Sequence, residues 1–424
     1  MTTTINADNG VVSGSAGLKS SADSSGVLAL QTNGTTAISI DTSQAVTVNG
    51  NTTLGDASTD TILMTGAPSI GGAGYGMGMG FRNRIINGAM VIDQRNAGAS
   101  VTPAQGVIYT LDRWALQSSV TSKFSIQQNA GSVTPPVGFS KYLGATSLSA
   151  YSIGAGDYFT VQQAIEGFNT SDLGFGTANA KTVTLSFQVY SSLTGTFGGS
   201  LQNSAGNRSY PFSYSIPVAN TWTTISVTIA GDTTGTWVGA TNGVGLFIYF
   251  GLGNGSTFSG TAGAWAGANY VSATGATSVV GTNGATFYIT GVQLEKGSTA
   301  TAFDYRPYGT ELALCQRYFW KLVGTGTSNQ YAALGAGVCT STTNGRAVFQ
   351  YPVQMRTAPT FSYGGNIYFE DGSGGHAISA IATSFANVQS AFVDLTTTGL
   401  TLGRGVCTFT GNQTTDYFQA SSEL

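Results

Sequence analysis

Short segments in which apolar and polar residues alternate are the feature that most constrains the fold of this chain. Val183–Val189 (VTLSFQV) and Ile225–Ile229 (ISVTI) each place their apolar side chains on one face of an extended strand. Leu246–Phe250 (LFIYF) is apolar on both faces, as expected of a strand in the interior of a sheet. Many such segments, separated by turn residues, occur between residues 81 and 308. They predict an all-β domain, an antiparallel β-sandwich, over this range.

Residues 309–424 predict a second, smaller β-rich domain that begins with one short helix. In Thr310–Phe319 (TELALCQRYF), Leu312 and Cys315 share one helical face, and Thr310 is the expected N-cap. Alternating segments follow the helix, at Ala347–Tyr351, Ile367–Phe369 and Cys407–Phe409. This domain is expected to lie distal to the sandwich.

The N-terminal region, residues 1–70, contains short apolar runs separated by the turn pairs Asn33-Gly34 and Asn49-Gly50. One copy holds too few large apolar residues to bury a stable core, so several chains are expected to pool their apolar stripes. The region is therefore predicted to be an oligomerising stalk of a homotrimer, with a flexible tail as the alternative. Residues 71–80 (GGAGYGMGMG) are predicted to be a glycine-rich linker.

Composition excludes several classes of function. The chain has 16 basic and 19 acidic residues among 424, a net charge of −3 and no basic cluster, which argues against nucleic-acid binding. It has no apolar run long enough to span a membrane, and the start MTTTINADNG does not resemble a signal peptide. Three cysteines, Cys315, Cys339 and Cys407, are an odd set expected to be free thiols in a protein made in a reducing cytosol.

Enzymatic chemistry is not expected. Cleavage of a polysaccharide needs two carboxylates about 5–10 Å apart, and spacing in the sequence sets no distance for Asp93 and Asp112 or for Asp157 and Glu166. The single histidine, His376, lies in the turn-like GSGGHA without a partner motif, so a loop position is expected. The sequence contains no cofactor or metal motif. A structural Ca²⁺ held by turn carbonyls is an alternative that the sequence leaves open.

A neutral, aromatic loop is the best candidate for ligand binding. The segment Gly251–Gly284 carries Trp265, Asn269 and Tyr270 among small polar residues, and loops of this length are usually functional or disordered. These three residues are predicted to bind carbohydrate, because aromatic rings can cover the apolar faces of sugars while amides bind their hydroxyls. The alternative is that Trp265 folds back and closes one end of the sandwich.

Charge concentrates between Phe287 and Arg317, immediately after a predicted strand. Phe287 and Ile289 share one face of this strand, whereas Val292 and Leu294 are one residue out of step, so a β-bulge is expected at Gly291. The charged residues of this segment are predicted to stabilise a joint between domains or between chains, and they are Glu295, Lys296, Asp304, Arg306, Glu311 and Arg317.

A series of motifs resembles phage and prophage tail-fibre proteins. The motifs are FRNRIINGAMVIDQRNAG (81–98), YTLDRW (109–114), FYITGVQLEKGSTATAFDYRPYGTELALCQRYF (287–319), YPVQMRTAPT (351–360) and the closing YFQASSEL (417–424). The resemblance covers most of residues 81–424. It implies a carbohydrate-binding jelly roll at 81–308, followed by a distal domain, on an elongated trimeric fibre.

The resemblance also implies a function. It predicts a virion fibre protein that attaches to bacterial surface polysaccharide and contacts other virion proteins through its N-terminal segment. The distal loops Gly364–Asn366 and Asp371–His376 would then lie at the fibre tip and could contact the receptor. Two alternatives stay open: a tailspike depolymerase that cuts its receptor, and a structural or decoration fibre attached to the capsid.

Overall fold

The computed structural model describes residues 28–32, 35–49, 69–70, 73–74, 82–328 and 330–424. The chain divides into two units, Met1–Pro68 and Ser69–Leu424. Strands are numbered β1 to β28 in chain order. The turn expected at Asn33-Gly34, the last apolar run of the stalk at Ile62–Met64 and most of the linker at 71–80 lie outside the described residues.

The described part of the first unit is a three-stranded antiparallel sheet in the order β1-β2-β3. Its strands are β1 (Leu28–Thr32), β2 (Thr35–Ile40) and β3 (Val46–Val48). Leu30 pairs with Ile38, Ile38 pairs with Val48, and Ile40 pairs with Val46 across the strands. Because directly paired residues point to the same side of a sheet, these five aliphatic side chains share one face. None of the side chains described in this unit is buried.

The second unit opens with a two-stranded ribbon and contains a sandwich of two antiparallel sheets. The ribbon consists of β4 (Ser69–Ile70) and β5 (Ala73–Gly74). The first sheet of the sandwich has the order β13-β12-β15-β10-β7-β6. Its strands are β6 (Gly106–Leu111), β7 (Trp114–Ser118), β10 (Tyr158–Glu166), β12 (Gly195–Gln202), β13 (Ser209–Ile216) and β15 (Val244–Asn254).

The facing sheet has five strands in the order β14-β11-β18-β9-β8. These are β8 (Phe124–Gln128), β9 (Leu143–Ser147), β11 (Val183–Ser191), β14 (Thr223–Ile229) and β18 (Thr286–Lys296). Short 3₁₀ turns lie at Ala130–Ser132, Gly167–Asn169, Ser171–Leu173 and Ser256–Phe258. A small parallel pair, β16 (Ser259–Gly260) and β17 (Ser272–Ala273), lies in the long segment between β15 and β18.

The predicted alternation produces the core of the sandwich. In β11 the apolar residues of Val183–Val189 are all buried, and they pack against the inner face of the six-stranded sheet. Strand β15, which holds Leu246–Phe250, lies in the interior of its sheet as predicted. The expected bulge is present: two residues, Gly291 and Val292, oppose the single Phe187, and Gly291 has a φ of +62°. The all-β sandwich predicted from the sequence is confirmed.

The C-terminal part has its own core between two further sheets. The smaller sheet has the order β19-β28-β22, and the larger has the order β24-β23-β27-β20-β21-β26-β25. The strands of the smaller sheet are β19 (Phe319–Val323), β22 (Thr360–Gly364) and β28 (Tyr417–Ser421). The strands of the larger sheet are β20 (Ala333–Cys339), β21 (Asn344–Gln350), β23 (Ile367–Glu370), β24 (Gly375–Ala377), β25 (Ala380–Ala386), β26 (Ser390–Thr396) and β27 (Gly405–Thr410). Phe349, Phe369 and Phe418 fill the space between the sheets.

One α-helix, α1 (Tyr308–Gln316), connects the two β-rich parts. The prediction that Thr310 caps this helix is wrong, because the N-cap is Pro307 and Thr310 already lies in the first turn. The ring of Pro307 fixes its φ at a value suited to a helix start, so the helix begins three residues earlier than predicted. Buried Cys315 anchors α1 against Ile86. No helix among the described residues is long and apolar enough to cross a membrane.

Candidate functional site

A cleft of about 340 Å³ lies on the outer face of the six-stranded sheet. It crosses the strands between β12 and β7 and is roofed by residues of the segment that follows β15. Eleven residues line it: Gln117, Tyr158, Gln202, Ser204, Ala205, Gly206, Phe247, Tyr249, Phe258, Asn269 and Val271. None of these eleven described residues carries a charge.

The register of the sheet brings the floor of the cleft together. Tyr249 of β15 pairs directly with Gln162 of β10, and Phe247 pairs with Gln202 of β12. Gln117 of β7 pairs with Thr160 of β10. Their immediate neighbours along each strand point inwards to the core, so the floor is built by the outward half of the alternation.

Two glycines of the sheet allow the roof to approach it closely. A Cβ on Gly198 would lie 2.6 Å from Ser272 Oγ, and a Cβ on Gly251 would lie 2.5 Å from the same atom. Neither contact is compatible with a larger residue, so Ser272 and the short strand β17 rest on bare backbone. The backbone of Val271 donates a hydrogen bond to Phe258 O at 2.9 Å, which ties the two sides of the roof together.

Aromatic rings form the walls of the cleft. Tyr158 and Phe258 meet edge to face with their centroids 5.0 Å apart, and Phe247 and Tyr249 stack at 5.6 Å. Tyr158, Phe247 and Phe258 are each half-buried, which leaves part of each ring open to the cleft. Rings presented in this way offer an apolar surface next to polar groups.

Gln202 organises the polar groups at one end of the cleft. Its Nε2 donates to Asn269 Oδ1 at 2.8 Å, and its Oε1 accepts a hydrogen bond from the Tyr249 hydroxyl at 3.3 Å. Burial raises the pKa of Tyr249, so the phenol stays protonated and acts as the donor of this bond. Both side chains are therefore held in fixed orientations.

Three polar atoms at and beside the other end of the cleft are buried but have no partner; of their residues, Gln117 lines the cleft. Gln117 Oε1, Thr160 Oγ1 and Gln162 Oε1 make no hydrogen bond to any described residue. Such atoms are uncommon in folded proteins, because burying an acceptor without a donor costs about 1–3 kcal/mol. Gln117 opposes Thr160 across β7 and β10, and Gln162 lies two residues along β10, so the three unpaired oxygens belong to neighbouring residues.

The three residues predicted to bind carbohydrate occupy different environments. Asn269 lines the cleft. Tyr270 contributes its backbone carbonyl, which accepts a hydrogen bond from Gln202, while its ring packs on Gly260. Trp265 lies outside the cleft lining: its Nε1 donates to Ala230 O at 2.7 Å, and its ring packs against three aromatic residues, Phe175, Tyr210 and Trp237.

The charged segment after β18 places Arg306 and Glu311 together. Arg306 Nη1 donates to Glu311 Oε2 at 3.2 Å and to Ile85 O at 3.0 Å, and Nη2 donates to Asn83 O. Glu311 also accepts a hydrogen bond from the backbone N–H of Asn87. This ion pair forms one side of a second cavity of about 480 Å³.

The second cavity differs from the cleft in its polar groups. Its aromatic wall consists of Phe139, Phe303 and Tyr305, with centroids 4.8–5.6 Å apart. The charged groups that line it, Arg306 and Glu311, are already bonded to each other or to the backbone. We therefore interpret this cavity as part of the packing around α1.

The remaining charged residues of the segment bind partners elsewhere. Arg317 forms two hydrogen bonds with Glu166, at 2.6 and 3.0 Å, and Lys296 pairs with Asp172 at 3.2 Å. Asp304 lies 3.7 Å from Arg82. Glu295 accepts hydrogen bonds from the backbone and hydroxyl of Thr301.

The carboxylates considered for catalysis have structural partners. Asp157 immediately precedes the nine-residue strand β10 and Glu166 ends it, so the two residues are roughly 30 Å apart. Asp93 accepts hydrogen bonds from the backbone of a neighbouring turn, and Asp112 accepts two from Gln94, at 2.6 and 2.7 Å. Burial raises the pKa of Asp112 to about 6, although nearby Arg95 opposes the shift.

The motifs of the tail-fibre resemblance meet at one joint. Glu423 of the closing motif pairs with Arg95 and Arg113, which belong to the first and second motifs. Arg356 donates to Ser422 O and to Glu423 O at 2.7 and 2.6 Å. Residues of these motifs therefore build the contact between the sandwich and the C-terminal part, and the residues that line the cleft lie outside the motifs.

The distal loops hold the single histidine. His376 Nε2 lies 3.3 Å from Asp371 Oδ1, and Asp371 also accepts hydrogen bonds from Ser373. These bonds fix the shape of the loop. Among the described residues, no group of three or more histidine, cysteine or acidic side chains is arranged to hold a metal ion. All three cysteines are free thiols.

Sequence reasoning missed most of the cleft. Tyr249 lies in a segment that the sequence predicts to be apolar on both faces, and the short strands that hold Tyr158 and Gln117 give no binding signal in the sequence. The available signal was the phase of the alternation, because the residues between two buried positions of an interior strand must face outwards. An aromatic or amide side chain at such a position, as in Tyr249 or Gln202, indicates a face that is not simply solvated.

Comparisons with known proteins give weak similarities. No protein-family model and no curated protein matches the chain. Three solved structures resemble part of it: the enzymatically active domain of tailspike protein 4 of bacteriophage CBA120, a family 61 carbohydrate-binding module in complex with β-1,4-galactotriose, and the family 11 carbohydrate-binding module of Clostridium thermocellum in complex with a mixed-linked tetrasaccharide. The identities are 14%, 9% and 11%, and the TM-scores are 0.28, 0.26 and 0.24.

The matches cover 51%, 51% and 47% of this chain, and 21%, 99% and 100% of the other chains in the same order. The chain thus spans about a fifth of the tailspike chain. At these TM-scores the similarities carry no argument about fold or function. The assignment of the fold rests on the strands and sheets described above.

Proposed function

We propose that the protein binds carbohydrate in the cleft on the six-stranded sheet and does not cleave it. The observation that carries the proposal is the combination of half-buried aromatic walls with an unpaired amide oxygen, Gln117 Oε1, in a cleft that has no charged lining residue. Sugars present apolar C–H faces and a rim of hydroxyls. The rings of Tyr158 and Phe258 match the first, and the amides of Gln117 and Asn269 match the second.

Hydrolysis is not favoured by the lining of the cleft. A glycosidase needs two carboxylates that flank the scissile bond, and none of the eleven described lining residues is acidic. The protein is therefore proposed to act as a binding module, and a depolymerase role would need a site elsewhere. Incubation with a bound polysaccharide is expected to release no new reducing ends.

The biological role proposed for this binding is attachment of a virion to bacterial surface glycans. The support is the series of motifs that resemble tail-fibre proteins. These motifs form the joint between the sandwich and the C-terminal part. They therefore support an architecture like that of tail-fibre proteins, whereas the proposed ligand contacts are the residues of the cleft.

We also propose that the chain assembles as a homotrimer through its N-terminal unit. Leu30, Val46 and Val48 are 42%, 61% and 44% exposed, and they share one sheet face with Ile38 and Ile40. An isolated sheet of three short strands is marginal in water, so an uncharged apolar face of this kind favours association with further copies. Light scattering on the full chain tests this: we expect a trimer, and Ile38→Asn is expected to release monomers. A folded wild-type monomer would contradict it.

Binding is tested with an array of purified bacterial polysaccharides probed with the labelled full-length chain. We expect retention on at least one polymer, and we expect Phe258→Ala to lose it. Gln389→Leu, which changes an exposed amide of the C-terminal part, serves as the control and should be retained like the wild type. Equal retention of both variants, or no retention of the folded wild type, would refute the proposal.

A further inference from the structure

We propose that the cleft selects uncharged glycan segments and recognises them through a hydroxyl hydrogen that the ligand donates to Gln117. The inference rests on the proposed carbohydrate binding and adds the chemical class of the ligand. It would exclude the acidic polysaccharides that are common on bacterial surfaces.

The first argument is the direction of the missing hydrogen bonds. The buried side-chain atoms without a partner at this end are all oxygens: Oε1 of Gln117, which lines the cleft, and Oε1 of Gln162 and Oγ1 of Thr160 beside it. An amide oxygen can only accept, so its partner must be a donor. A sugar hydroxyl donates, whereas a carboxylate or sulfate group offers only acceptors at neutral pH.

The second argument is the absence of a counter-charge among the described residues that form the cleft. None of the eleven lining residues and neither of the neighbours Thr160 and Gln162 is charged. An anionic ligand would give up its hydration here without gaining an ion pair, which is strongly unfavourable. A neutral segment exchanges hydrogen bonds between its hydroxyls and water for hydrogen bonds between its hydroxyls and amides, so the number of hydrogen bonds is conserved.

The third argument is the length of the polar row. Gln202, Tyr249, Gln162 and Gln117 lie on four adjacent strands, in the order β12, β15, β10 and β7. Three gaps between strands span about 14 Å. This exceeds the width of one sugar ring, so the site is built for several linked sugars, and free monosaccharides should compete poorly.

The polysaccharide array tests the class of ligand directly when its polymers are sorted into neutral repeats and repeats that carry uronate or phosphate. We expect retention on neutral polymers. Titration calorimetry then compares the best-bound polymer with the same polymer after oxidation of its primary alcohols to carboxylates. We expect the oxidised form to bind at least tenfold more weakly. The Kd of the neutral form should change by less than about twofold between 50 and 500 mM NaCl.

Variants at Gln117 test the acceptor itself. Gln117→Met keeps the length of the side chain but removes the oxygen, and we expect affinity for the neutral polymer to fall about tenfold. Gln117→Glu keeps an acceptor, so it should bind the neutral polymer within a few-fold of wild type. If Gln117 had only a structural role, the two variants would bind the neutral polymer with the same affinity. Gln389→Leu is again the matched control.

The outcomes separate this inference from the proposed function. Retention confined to acidic polymers, a strong loss of affinity in salt, or wild-type binding by Gln117→Met would overturn the inference while glycan binding itself stands. Failure of the folded chain to bind any polymer would overturn both proposals.

Discussion

Loss of the Arg306 guanidinium should destabilise the protein because it leaves a buried carboxylate without its partner. The side chains of Arg306 and Glu311 are only 11% and 10% exposed. In Arg306→Ala, the backbone carbonyls of Ile85 and Asn83 lose a donor, and Glu311 keeps only the N–H of Asn87. Breaking a buried ion pair from one side costs about 3–5 kcal/mol. Because both side chains retain some contact with water, we expect a loss near the lower end, about 3 kcal/mol.

The assay is urea unfolding followed by tryptophan fluorescence, with Arg346→Ala as the matched control. Arg346 forms a comparable pair with Asp394 at 2.7 Å, but the two side chains are 38% and 31% exposed. Removing a pair exposed in this way costs about 1 kcal/mol or less. Arg306→Ala should therefore unfold at clearly lower urea than the control, and its folded fraction should bind glycan normally.

Two results would refute this reasoning. If Arg306→Ala and Arg346→Ala lose equal stability, burial of the Arg306 pair contributes nothing. If Arg306→Ala keeps its stability but loses glycan binding, the charged segment is part of a binding site and the cleft has been assigned wrongly.

Three further predictions follow from individual contacts. Asp112 has its pKa raised by burial, so its contribution to stability is present below about pH 4 and falls by about 3 kcal/mol as the pH rises past 6. Asp112→Asn should consequently cost more at pH 4 than at pH 7 in urea unfolding, and the reverse order would contradict the shift. Trp265→Phe removes the hydrogen bond to Ala230 O, so it should lower the free energy of unfolding by about 1 kcal/mol while glycan affinity in calorimetry stays within about twofold. Gly198→Val forces Ser272 and the roof away from the sheet and should weaken glycan binding in calorimetry more than it lowers stability; unchanged affinity would show that the roof is not part of the site.

The fold could be predicted because its signals are local. The alternation in Val183–Val189 fixes which side chains enter the core, and one extra residue before Val292 is enough to place the bulge at Gly291. The start of the helix was misplaced because Thr310 is a better N-cap in isolation than Pro307. In the structure, the segment Tyr305–Pro307 is extended and leads directly into the helix, so the helix starts immediately after Pro307.

The cleft could not be predicted because it depends on strand order. Gln117, Gln162, Tyr249 and Gln202 are scattered between residues 117 and 249, and they meet only because β7, β10, β15 and β12 are neighbours in the sheet. Trp265 is a plausible binding residue in the sequence because large rings are rare among small residues. Its indole N–H has a backbone partner and its ring has three aromatic neighbours, so Trp265 has a structural role. Asn269, four residues later, is the residue of this loop that lines the cleft.

The most direct test of the account is a crystal structure of the full chain with an oligosaccharide prepared from the best-bound polysaccharide. We expect ordered sugar on the outer face of the six-stranded sheet, packed against Phe258 and hydrogen-bonded to Gln117 and Asn269. Ordered sugar on the distal loops around Asn366 or His376 instead, with the cleft empty, would contradict the central claim.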